Sequence, residues 1–200
     1  MPPGARDTTY ELRVFESGHV ETRPDSLHDF FNALAWLAFP RTKARVNAMH
    51  AAEIPREAGR RGRLRDLLTL FDEGGAIVQC DDADLVALLR NFCWKDLFWE
   101  NREKVRGAMR VVVFGHAVLE KALEPWPGIT CKAIVAPAGA DPDEQARTWL
   151  AQLEPGATPA SLAPLPIFGL PGWFAGQSPE LYDDTRYFRP AYGKAGKRVS

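Results

Sequence analysis

The chain has 200 residues, 46% of them hydrophobic and 26% charged, with a formal net charge of −1. That balance suits one globular domain with a single sizeable core and excludes both a disordered chain and a globally basic nucleic-acid binder. The N-terminal stretch lacks a signal peptide's apolar run, no segment approaches the roughly 20 apolar residues that span a bilayer, and the three cysteines form no CxxC pair, so a cytoplasmic protein with reduced thiols and no membrane partner is expected.

Residues 9–16 (TYELRVFE) put Tyr10, Leu12, Val14 and Glu16 on one side and Glu11, Arg13 and Phe15 on the other, the period of a short edge strand. Residues 26–39 read as a helix: Ser26 can cap it, Asp29 stands three residues on as in a capping box, and Pro40 forces a break or bend. A second helix is expected over residues 41–53, ending before Pro55. Residues 56–65 carry Arg56, Arg60, Arg61, Arg63 and Arg65 around two glycines, a basic connection. TLFDEGGAIVQC has the form of a β-hairpin, with the Gly74-Gly75 pair supplying positive φ at its turn. Helices are expected over 82–91 and 96–106, a strand at RVVVFG, a helix from His116, a strand at GITCKAIVAPA and a helix at DEQARTWLAQL. From residue 157 the chain has no clear period, yet LAPLPIFGLPGWFAGQ is too apolar for disorder. This arm should lie extended across the core, while GKAGKRVS frays.

On a helical wheel Leu27, Phe30, Phe31, Leu34, Leu37 and Ala38 form a broad apolar face, the expected core contact of the first helix. The opposite face holds His28, Asn32, Ala35, Trp36 and Phe39, with Asp29 its only charge. A solvated face would carry lysine and glutamate, so this helix is expected to be covered on two sides. In the second helix Lys43, Asn47 and His50 fall within about 60° of one another. A corner at Pro40 would bring the two polar stripes around one pocket. Because a buried unpaired polar group costs ~1–3 kcal/mol, these residues need a dense hydrogen-bond network or a site that uses them.

His116 and Glu120, four apart, share a helix face and could ligate a metal or act as base and orienter. Asp72 at the hairpin tip, if folded over the helices, would add an oxygen ligand to His28, His50 or His116, a donor set suited to zinc, iron or manganese. The arginine cluster is the one local reason to consider phosphate or nucleic acid, and few aromatics accompany it. No GxxxxGK[ST] loop, no GxGxxG turn after a strand and no GxSxG elbow occurs, which removes the common phosphate-cradling and serine-hydrolase readings.

Five separated stretches, HDFFNALAWLAFPRTKARVN, RRGRLRDLLTLFDEGG, NFCWKDLFWENR, VVFGHAVLEKAL and PLPIFGLPGWFAGQSPELYDDTRYFRP, resemble a bacterial family catalogued as a domain of unknown function, number 3025. The resemblance covers about residues 24–190. It implies one domain whose C-terminal arm belongs to the fold, and it carries over no activity, cofactor or site residue.

The expectation is therefore an α+β single domain over residues 1–200, with its core in about 24–190. Helices pack on a small mixed or antiparallel sheet, and a proline- and glycine-rich C-terminal arm lies extended. The expected function is an enzyme or binder for a small anionic ligand, working by acid/base chemistry with metal assistance as one version and no cofactor specified. His28, Asn32, Lys43, Asn47, His50, His116 and Glu120 are the candidate catalytic set. Arg61, Arg63, Arg65 and Asp72 are the candidate ligand-binding set. The alternative is a nucleic-acid or anionic-partner module using residues 56–65.

Overall fold

The computed structural model describes residues 4–57 and 61–191, with side chains from residue 10 onward. Residues 193–200, expected to fray, and Arg60 of the basic connection lie outside the described residues. The chain opens on a helix, α1 (Gly4–Ser17), where a strand was expected. Tyr10 and the buried Val14 stand one turn apart, so the spacing that matters is four residues rather than two. Eight residues of alternation were too few to separate the two periods.

Helix α2 (Leu27–Ala38) begins as expected, with the Ser26 hydroxyl accepting the Asp29 amide hydrogen. Its orientation reverses the wheel reading. Leu27, Phe30, Leu34 and Leu37 are exposed, Leu37 by 79%, while Asp29, Asn32 and Ala35 are buried. α2 turns its polar stripe inward, onto α3 (Pro40–Glu53) and the later helix α7 (His116–Lys121). Pro40 opens α3, where a missing N–H costs nothing, and the bend falls at Phe39 with φ −131° and ψ 55°. The first turn of α3 is capped from afar. The Asp143 carboxylate, on α8 (Pro142–Ala151), accepts the amide hydrogens of Arg41 and Thr42 at 3.0 and 2.8 Å.

The expected hairpin is half helix. α4 (Arg63–Gly74) runs through Thr69, Asp72 and Glu73, and β1 (Gly75–Gln79) starts at the next residue. Leu67, Leu68 and Phe71 are fully buried at helical spacing, and that burial overrides the turn propensity of Asp-Glu-Gly-Gly. Gly75 has φ −72°, so it is not there for a left-handed turn. A Cβ on Gly75 would lie 2.2 Å from the Phe71 carbonyl oxygen. β1 instead pairs antiparallel with β2 (Arg110–Val113) and parallel with β3 (Thr130–Ala136), and β3 pairs antiparallel with β4 (Ala163–Pro166), giving a mixed sheet of order β2-β1-β3-β4.

The sheet separates two cores. Ile77 and Ile134 face α4 and α8 with Leu67, Leu68, Phe71, Phe114 and Leu150. Ala76, Val78, Cys131 and Leu165 face α5 (Ala83–Arg90), the Leu97 and Phe98 segment, and the C-terminal arm. The single helix expected over 96–106 is interrupted: a π turn (Asp96–Glu100) leads through Asn101 into α6 (Arg102–Ala108). The arm lies across the core as expected, burying Leu165, Ile167, Phe168, Leu170, Tyr182 and Phe188. Tyr182 donates its hydroxyl hydrogen to the Gly169 carbonyl, and Tyr187 donates to the Ile129 carbonyl at 2.6 Å.

That attachment makes the arm sensitive to alkali. Burial pushes the Cys131 thiol up to about 12 and the Tyr182 phenol up to about 12, and it raises Tyr187 above its ordinary 10.0. In the unfolded chain these groups lose protons near 9.0 and 10.0. The folded state holds the protons longer, so its advantage is complete below pH 9 and shrinks as pH rises toward 12. Urea midpoints should stay level up to about pH 8.5 and fall steadily between about pH 9.5 and 11. Tyr182→Phe should flatten that fall. Equal wild-type midpoints at the two ends of the range would refute the account.

Candidate functional site

The polar stripes of α2 and α3 meet at one place, closed by the end of α4 and the start of α7. Lys43 Nζ donates to both Asp72 carboxylate oxygens, at 2.6 and 2.8 Å, and to Asn32 Oδ1 at 2.7 Å. Its side chain is 5% exposed and that of Asp72 17%. Lys43 also lies 5.4 Å from the centre of the Trp36 ring. Asn32 Nδ2 then donates to the Tyr10 hydroxyl on α1 at 3.0 Å.

Asp72 contributes twice. Burial alone would raise its carboxyl, but the Lys43 ammonium, helped by His116 and His50, more than reverses this and holds it below the ordinary carboxylate value. Its backbone carbonyl accepts from His116 Nδ1 at 2.9 Å. His116 is buried at the start of α7, and that burial, assisted by Lys43 and His28 and opposed by Asp72, holds the imidazole below its ordinary value. His116 Nε2 stands 3.2 Å from His28 Nε2, and His28 Nδ1 stands 3.0 Å from Glu120 Oε2. Glu120 shares a helix with His116, as its spacing suggested, but its partner is His28 on α2.

The same linkage continues on α3. Asn47 Nδ2 donates to the backbone carbonyl and the carboxylate of Glu11. His50 Nδ1 accepts from Arg65 Nε at 3.1 Å, so the His50 ring hydrogen sits on Nε2. Arg65 is therefore an interior residue, 3% exposed and paired with Glu57 at 2.9 Å. Arg61 pairs with Asp66 at 3.1 Å and with the Thr69 hydroxyl, and Arg63 is exposed. None of these three arginines lines the cavity.

That cavity has a volume of about 220 Å³, and its wall includes Tyr10, His28, Asn32, His50, Asp72 and His116. Lys43, Asn47 and Glu120 stand behind the wall and fix the residues on it. The wall also carries Glu11, Glu21, Arg23, Asp29, Thr69 and Glu73, all six outside the expected set. Arg23 is joined to Asp29 by two side-chain hydrogen bonds of 2.7 and 2.8 Å, which hold the Asp29 carboxyl far below its ordinary value. Tyr10 and Glu11 escaped notice because their segment read as a strand. Asp29 could have been found: it was the only charge on a face without lysine or glutamate.

Among the described residues, no group of three or more histidine, cysteine, aspartate or glutamate side chains is placed to hold a metal ion, and no helix is long and apolar enough to cross a membrane. No curated protein and no solved structure matches the chain. One family model does, and it spans residues 2–192, covering every element from α1 to the C-terminal arm; the chain belongs to the family described as "protein of unknown function (DUF3025)".

Proposed function

We propose that the cavity binds a small polar molecule and that His28 and His116 pass a proton to or from it. The observation that carries this reading is the imidazole pair at the cavity wall. With both Nδ1 atoms committed to oxygen acceptors, one proton can sit between the two Nε2 atoms and move to either ring or to a ligand. Lys43 acts by holding Asp72 and Asn32, and Asp72 in turn positions His116. With Arg23 tied to Asp29 and Lys43 to Asp72, the wall still carries the carboxylates of Glu11, Glu21 and Glu73. A neutral or cationic ligand therefore fits better than the anion expected from the lysine of the polar stripe. Hydrolysis or elimination on a neutral substrate is the chemistry such a pair supports.

The test is a panel of ester, amide, glycoside and β-elimination substrates, with thermal shift reporting binding. His116→Gln should lower kcat by about 10²–10⁴-fold on any substrate found, with KM little changed. Full activity in both His28→Gln and His116→Gln would end the proposal.

A further inference from the structure

The contact between His28 and His116 lacks a donor that two neutral rings could provide. The Asp72 carbonyl can only accept, so His116 Nδ1 carries the hydrogen of that bond, and His28 Nδ1 likewise donates to the Glu120 carboxylate. Two neutral imidazoles held this way turn two lone pairs toward each other across 3.2 Å. The rings are inclined at 70° with centroids 4.6 Å apart, less than the nitrogen separation plus two ring radii, so they are not end to end. An Nδ1–H held by a carboxylate or a backbone carbonyl is the support that fixes an imidazole for metal ligation through Nε2. Nitrogens bound to one ion at about 2.0–2.1 Å and a near-tetrahedral angle stand about 3.3 Å apart.

We propose that His28 and His116 form a two-imidazole site for a borderline transition-metal ion of the Zn²⁺ or Cu²⁺ class, bound through both Nε2 atoms with its other positions open to the cavity. Glu11, Glu21 and Glu73 on the cavity wall favour approach of a cation, and the cavity has room for water to complete the coordination. Two imidazoles fill two positions of a four-coordinate ion, and the remaining two are for water or a ligand from the cavity. Imidazole nitrogens select against Mg²⁺ and Ca²⁺, which take oxygen ligands. The inference shares its two histidines with the proton-transfer reading but goes beyond it: the ion occupies the position of the shared proton, so the loaded protein would not transfer that proton.

The experiment uses the full chain, free of any tag, stripped with EDTA and titrated with Cu²⁺ under electron paramagnetic resonance, with Zn²⁺ as competitor. One equivalent should bind with hyperfine coupling to two nitrogens, and Zn²⁺ should displace it. His28→Gln should weaken binding at least 100-fold and Glu120→Gln about 10–100-fold. His28 is half-exposed, so these two variants carry the test even if His116→Gln fails to fold; circular dichroism verifies their fold. Binding without two-nitrogen coupling, or unchanged affinity in His28→Gln, overturns the metal site. No substrate enters this measurement, so its failure leaves the proton-transfer proposal to the kinetic test.

Discussion

Lys43→Met should destabilise the protein by about 3 kcal/mol, lowering the melting temperature by about 6–12 °C. The substitution keeps an unbranched chain of similar length, so packing against Trp36 survives and the loss isolates the ammonium. What remains is a carboxylate, 17% exposed, without its cation, and an Asn32 carbonyl oxygen without its donor. Stranding a buried charge costs more than the pair contributes to stability, because removing both charges also removes the desolvation they share. Lys43→Met combined with Asp72→Asn should therefore recover about 1–3 kcal/mol over the sum of the single losses, since the introduced amide can donate toward Asn32. Urea unfolding with an unchanged m-value measures this cycle. A single-variant loss below about 0.5 kcal/mol would mean that the pair is solvated and that α2 and α3 are joined by other contacts.

Gly115→Ala should cost about 3 kcal/mol or more and should also detach His116 from its acceptor. A Cβ at this position would lie 2.5 Å from the Gly75 nitrogen and 2.6 Å from the Glu73 oxygen. Both are backbone atoms, so no side-chain rotation relieves the clash. The Gly75 carbonyl already accepts from the amides of Phe114 and Gly115 at 2.9 and 2.8 Å, which pins the strand end that would have to move. The movement would pass directly to His116, the next residue, and open its bond to Asp72. Gly74 provides the control. It closes α4, nothing lies within 4 Å of a Cβ built there, and Gly74→Ala should be neutral or stabilising by up to about 1 kcal/mol. Unfolding midpoints and the imidazole nitrogen resonances of the two variants decide the comparison. Similar behaviour of both would refute it.

The parts of this fold that were legible in the sequence depend on local chemistry. Ser26 announces the start of α2, Pro40 the start of α3, the β-branched run at Val111–Val113 a strand, and Gly115 the step into α7. The two polar stripes were legible for a related reason: histidine, asparagine and lysine on a face without solvating charges must be enclosed by something. The identity of the enclosing element was not legible. α2 is apolar on one face and polar on the other, and periodicity does not say which of them the rest of the chain will cover. Asn32 and Lys43 reach inward because Asp72, 29 positions beyond Lys43, is there to receive the ammonium. Arg65 failed as a surface cation for the same reason, since Glu57 and His50 supply interior partners that composition cannot reveal. Asp72 itself was placed on a hairpin tip because two glycines read as a turn, when Gly75 is required by a close approach to Phe71.

The far-apart partners of the first helices bear on how the molecule is made. The cap of α3 comes from Asp143, more than 100 positions downstream of Arg41 and Thr42, and His28 meets Glu120 across 92 positions. During synthesis α1, α2 and α3 leave the ribosome before Asp72 and Asp143 are there to complete their polar contacts, and the imidazole pair cannot assemble until residue 116 has followed. Closing such long loops delays the reward until most of the entropy has been spent, so folding in milliseconds to seconds is expected rather than microseconds. A nascent chain that stops short of α8 would hold the cavity's histidines but not its shape.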